Sequence, residues 1–220
     1  MLPRPKKHEI DHRTIKLLVG IVALTLAPLT NQFAEGSLES ISESYWKGGS
    51  SQTIFIGFTF AVAAFLMAYN GFSTREMVAS KIAATGALLV AWFPCECGTP
   101  TDQMPYVHWI AASVMFLALA YLCFVFRQRA REKRYPQAVL RAHIYACCGV
   151  AILASIVVLA LDHLTGKALS ARFQTLTFWG EALALFAFGL SWLVASRVLP
   201  FITKPEERFS PLADQNPVLD

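Results

Sequence analysis

Three features of the sequence predict an all-α fold, a six-helix transmembrane bundle with both termini cytoplasmic. Six apolar stretches have the length of a membrane span, the basic residues are split unevenly between alternate connections, and the stretches use up most of the chain, leaving no separate soluble domain. Of the 220 residues, 55% are hydrophobic and 15% are charged, where soluble domains carry about 25% charge. A hydrocarbon core of about 30 Å asks for about 20 apolar residues of helix. No charge occurs from Leu17 to Ala34, Gly48 to Thr74, Gln103 to Phe126 or Ala142 to Leu161. Two further stretches are Ile82–Cys97, which ends with Glu96, and Phe173–Val198, which holds Glu181. The implied organisation is a basic cytoplasmic N-terminus over 1–16, a six-span domain over 17–199 and a flexible cytoplasmic tail over 200–220.

Orientation follows from Lys and Arg. With the N-terminus inside, 16 of the 19 fall on inner segments, and only Lys47, Lys167 and Arg172 lie outside. That asymmetry chooses one direction under the positive-inside rule. The net charge of +4 therefore reports topology. The run RQRAREKR reads as a membrane-adjacent stop signal, and no nucleic-acid partner is expected. MLPRPKKHEIDHRTIK reads as a long charged lead and not as a cleavable signal. A bacterial inner membrane is the simplest home.

Taken in order, the first span (about 17–33) contains Pro28, tolerable as a kink or near the outer end. The outer loop AEGSLESISESYWKGGSSQ follows, with Glu35, Glu39, Glu43, several serines and the interfacial aromatics Tyr45 and Trp46. The second span stops at Tyr69-Asn70-Gly71, and a short inner loop makes the third its antiparallel neighbour. The third ends in WFPCECGTP, where Pro94, Gly98 and Pro100 break the helix. The fourth opens with Tyr106, His108 and Trp109 and runs into the arginine-rich loop. The fifth ends outside at Asp162 and His163.

This topology gathers a polar outer set of Glu96, Asp102, His108, Asp162, His163 and Glu181, with Ser40, Ser42 and Tyr45 nearby. Glu181 is the deepest, about 12 Å down if the helix starts at Phe173. An ionisable group at such depth is costly and marks a site by default. Gly180, Ala184, Ala187, Ser191 and Ala195 make a small-residue stripe beside it, where helices pack closely. Glu181 therefore faces the bundle interior. It is either a hydrogen-bonded structural acid, with Ser42 or Tyr106 as partner, or a ligand contact. The ligand-binding candidates are Glu181, His108, Ser42, Tyr45, His163 and Glu96.

No metal and no cofactor are expected, because the His, Cys and carboxylate spacings match no zinc signature. Cys95 and Cys97 lie outside, where disulfides form, though a bridge across one residue is a strained arrangement. Cys123, Cys147 and Cys148 read as small apolar packing residues.

Three stretches carry a family resemblance. SISESYW with IFIGFTFAVAAFLMAYNG, then AWFP with HWIAASVMFLALAYLCFVF, then FWGEALALFAFGLSW resemble an uncharacterised bacterial six-span membrane family, a domain of unknown function, over about Ser40 to Trp192. A more distant similarity is to DRAM-type membrane proteins. Glu43 and Ser44, and the CEC after AWFP, depart from the family pattern. The resemblance implies a six-helix membrane protein and no activity.

The function expected is binding of a lipid or other small amphiphile, or of a partner subunit in the membrane, through an outward-facing polar pocket in the outer half. The alternatives are an intramembrane hydrolase using His108 and Glu181 as acid–base or metal residues, and a transporter. Paired broken helices would mark a transporter, and only the break at Pro94 is visible.

Overall fold

The computed structural model describes residues 11–97 and 104–210. Most of the basic lead, Asp102 and the last ten residues lie outside them. Among the described residues there are seven α-helices and no strand: α1 (His12–Gln32), α2 (Ser44–Lys47), α3 (Gly49–Ala68), α4 (Thr74–Trp92), α5 (Pro105–Glu132), α6 (Pro136–Leu164) and α7 (Leu176–Ser196). Two single 3-10 turns follow, Pro200–Ile202 and Pro205–Glu207. Five helices, α1, α3, α5, α6 and α7, are long and apolar enough to cross a membrane. The chain is a multi-pass membrane protein.

The long helices close into a ring. Each packs on the next in sequence, and α7 returns to pack on α1. Their alternation gives the bundle two ends. The terminal end holds the start of α1, the α3–α4 turn, the α5–α6 turn and the end of α7. The loop end holds the segment between α1 and α2, the break after α4 and the start of α7.

The α1–α7 seam explains how the ring closes. A Cβ on Gly20 would lie 2.9 Å from the Leu193 nitrogen, and one on Gly189 would lie 2.8 Å from Leu24 Cγ. Two facing glycines thus let backbones meet, as small residues do in membrane bundles. The expected stripe is also packed, with Ala184, Ala187, Ser191 and Ala195 buried. Its closest approach, however, runs through Gly189. On α4, Gly86 plays the same part: a Cβ there would meet the Ala111 carbonyl at 2.9 Å.

Helix limits move in instructive ways. α4 starts at Thr74, eight residues before the apolar stretch that predicts it. Ser73 caps it, its hydroxyl accepting the Glu76 N–H at 3.3 Å, which is half of the S-x-x-E pattern of a capping box. Because α4 takes in Arg75, Glu76 and Lys81, it falls outside the five helices apolar enough to span. α5 continues through most of the arginine-rich run to Glu132, so residues 133–135 alone connect it to α6. α7 starts at Leu176, which puts Glu181 five residues in, about 8 Å instead of 12 Å.

Candidate functional site

The loop end is built around the segment between α1 and α2. Leu38 and Ile41 are buried there and pack with Leu26, Phe55, Val90, Phe178 and Leu185. Turning these two side chains inward brings polar backbone into the bundle, and buried N–H and C=O groups need partners. The start of α7 supplies them. Glu181 Oε2 accepts the Ile41 N–H at 2.6 Å, and the Phe178 N–H donates to the Glu39 carbonyl at 2.8 Å. The loop is also tied to itself: Ser40 and Ser42 hydroxyls lie 3.4 Å apart, and the Glu43 N–H donates to Ser40 Oγ at 3.1 Å.

Neighbouring contacts extend this knot. Trp46 Nε1 donates to the Cys95 carbonyl at 2.9 Å, and Ser40 Oγ lies 3.5 Å from Cys97 Sγ. Cys95 and Cys97 are joined in a disulfide. Lys47 and Glu43 form an ion pair at 3.0 Å. Tyr45 is half-buried, its ring edge-on to Trp46 at 5.3 Å.

The predicted outer residues fall into separate groups. Glu181 and Ser42 meet the same loop. His108 is buried, and its Nδ1–H donates to the Phe93 carbonyl at 2.7 Å. That carbonyl is freed where α4 ends, and helix C-termini leave such acceptors unsatisfied. His163 is exposed and lies tilted against Trp109, 5.9 Å between centroids, and His108 meets the same indole edge-on at 6.2 Å. Asp162 accepts the Leu169 and Ser170 N–H groups at 2.8 and 3.0 Å and so caps the loop before α7. Glu96 and Tyr106 are exposed. Among the described residues, no three His, Cys, Asp or Glu side chains are close enough to share a metal ion.

A wholly different arrangement occupies the terminal end. Glu76 is fully buried and accepts from the Tyr69 hydroxyl, from the Phe72 N–H at 3.0 Å and from Arg129 through both guanidinium NH groups. Lys16 is buried beside it, its ammonium 5.1–5.4 Å from the ring centres of Tyr69, Phe72 and Phe126. Arg141, also buried, donates to the Ile202 carbonyl, to Tyr135 Oη at 2.7 Å and to Glu207 at 3.2 Å. Glu207 further takes Lys133 at 2.5 Å and the Tyr135 hydroxyl. Burial pushes the Glu207 carboxyl up, but these hydrogen bonds and the Arg197 and Lys133 charges outweigh it and bring its pKa to about 2.

Sequence reading missed this second centre because it assigned every basic residue to topology. One signal was present: Ser73 and Glu76 have capping-box spacing, which places a helix start, and with it an acid, among the inner charges.

The flank between α4 and α5 carries a third feature, an apolar groove. It consists of two hollows of about 500 and 530 Å³ that share Val78, Ile82 and Val114. Gly86 and Ala111 line the first, Thr74 and Arg75 the second, and Lys81 stands at the rim of the first. The close approach at Gly86 leaves no large side chain there to fill the furrow.

Comparison with curated proteins and with solved structures found no match in either. Residues 17–191 match the family described as "Protein of unknown function (DUF998)", a stretch that takes in most of α1, all of α2 to α6 and most of α7. With most of the bundle inside that match, the chain belongs to the DUF998 family.

Proposed function

We propose that the protein is a six-span membrane protein with both termini cytoplasmic, resident in a bacterial inner membrane, that binds a membrane lipid by its acyl chain in the α4–α5 groove. The continuous groove carries this reading. From Thr74 to Leu89 it follows α4 for about 22 Å at 1.5 Å per residue, longer than one leaflet of about 15 Å. Its walls are apolar, and Arg75 and Lys81 stand toward the cytoplasmic end, where anionic headgroups of the inner leaflet attract them. α4 serves as the sixth span in this reading. Its Glu76 is paired with Arg129, and its Lys81 donates to Asn70 Oδ1 and to the Tyr69 carbonyl at the inner rim.

The polar outer set then shapes the periplasmic rim and does not form the binding pocket. Glu181 and His108 already give their polar atoms to Ile41 and Phe93. The same engagement ranks the acid–base hydrolase second, since a catalytic pair needs a shared reacting atom within hydrogen-bond reach.

Two measurements test the proposal. Reporter fusions at Gly48, Thr101 and Gly166 should read outside, and those at Thr74 and Gln137 inside. An inside signal at Thr101, with Thr74 inside as expected, removes α4 from the membrane. Native mass spectrometry of protein extracted with its own lipids should find a retained phospholipid that Val114→Trp expels. Retention unchanged by that variant, or a stoichiometric protein subunit on the groove instead, overturns the lipid reading.

A further inference from the structure

We propose that the terminal end contains a binding site for a doubly charged phosphoryl group, built around Lys16 and independent of the lipid groove. A cavity of about 450 Å³ opens there among α1, α5, α7 and the Glu207 turn. Its lining includes five cations, Arg13, Lys16, Arg129, Lys133 and Arg197, against the carboxylates of Asp11 and Glu207. Counting Glu76, which holds Arg129 from behind, the surplus is two positive charges.

The cations are not equally occupied. Arg129 is held by Glu76, and Lys133 by Glu207. Lys16 is 5% exposed, with aromatic faces around its ammonium. Ring faces attract an ammonium but leave its N–H groups without lone pairs. Arg197 has a buried NH1 with no hydrogen-bond partner, 3.7 Å from Glu207 Oε2. Arg13 gives one NH group to the Glu207 backbone carbonyl at 3.4 Å. Buried donors without acceptors are costly and mark places where a partner is missing.

An anion in the cavity would meet donors of two kinds. Guanidinium groups form paired bonds to phosphate oxygens, and an ammonium acts as a point charge. Two surplus charges match a phosphate monoester dianion better than a single carboxylate. The volume lies within the range of about 300–1,000 Å³ of small-molecule sites, more than one phosphate group fills. Phe72, Phe126 and Tyr145 wall the remainder, giving an apolar face to the organic part of the ester. The source is either a soluble organic phosphate or the monoester headgroup of a lipid.

The test uses the full chain in detergent and in nanodiscs. Glycerol 3-phosphate in solution, or phosphatidic acid in a phosphatidylcholine nanodisc, should raise the unfolding midpoint saturably, as any ligand selective for the folded state does. Whichever probe acts identifies the source. Lys16→Met should weaken that probe by about tenfold or more, the scale of losing a charge-assisted hydrogen bond, and Arg13→Gln should weaken it less. Where Lys16→Met does not fold, Arg13→Gln and phosphorus NMR line broadening of glycerol 3-phosphate by the unmodified protein decide. No saturable response to either probe, or equal affinity in the folded variants, overturns the site.

Discussion

The two ends of the bundle each hold a carboxylate at the level of the helices, and they satisfy it in opposite ways. At the loop end Glu181 accepts a neutral backbone N–H from Ile41. At the terminal end Glu76 is bracketed by Arg129 and a tyrosine, with Lys16 close behind. A neutral donor can hold either form of the acid, since a protonated carboxyl still offers an acceptor oxygen. The half-buried Arg129 guanidinium holds the ionised acid far better than the neutral one, and removing it strands the charge of the fully buried Glu76. The loop end is thus a hydrogen-bonded closure, while the terminal end is an electrostatic centre.

That contrast should appear most strongly in Arg129→Met. Leaving Glu76 buried without its cation should cost about 3–5 kcal/mol, the scale for a broken buried pair. Adding Glu76→Gln to the same chain should recover much of it, read by detergent-denaturant unfolding. If the single and double variants are equally unstable, the pair is not the stabilising unit.

The loop end should respond less. Glu181→Ala orphans the Ile41 N–H and should destabilise by about 1–3 kcal/mol. Glu181→Gln keeps an acceptor oxygen and should stay within about 1 kcal/mol of the unmodified chain. A Gln variant as damaged as the Ala variant would show that the negative charge itself matters, and the two ends would no longer differ in kind.

The smallest effect concerns pH. Glu207 has a folded pKa near 2, below the unfolded value of about 4.3. A lowered carboxylate pKa gives stability that is complete above the unfolded value and lost as pH falls through the folded one. Stability should therefore decline between about pH 4 and pH 2, by about 1–2 kcal/mol after allowance for solvent screening. Glu207→Gln should flatten that decline. A decline of the same size in the variant would assign it to other carboxylates.

Much of the helical architecture was legible because burial in lipid demands long apolar runs, and such runs are visible one residue at a time. Five of the six predicted stretches became helices that satisfy the demand. The sixth, α4, was placed eight residues late because Glu76 and Lys81 interrupt its apolar pattern. Glu76 is accommodated by an arginine 53 positions away, and nothing local announces that pairing. Glu181 stands beside the packed face that its spacing from Ala184 predicts. Its shortest bond is to the Ile41 main-chain N–H, which every residue except proline carries, so no letter in the sequence names Ile41; Ser42, expected as its partner, does lie against the same carboxyl. His108 found its acceptor in the same anonymous way, at a carbonyl exposed by the end of a helix.

The bond between Ile41 and Glu181 joins positions 140 residues apart, and the Phe178–Glu39 bond repeats that span across the molecule. During synthesis the loop between α1 and α2 emerges just after α1, while its seat, α7, is the last long helix to be made. Leu38 and Ile41 must remain undocked through the synthesis of four intervening long helices. Closure of the ring is then a terminal event in biogenesis, and a chain truncated before α7 would display an unsatisfied, apolar loop to whatever protease surveys the membrane surface.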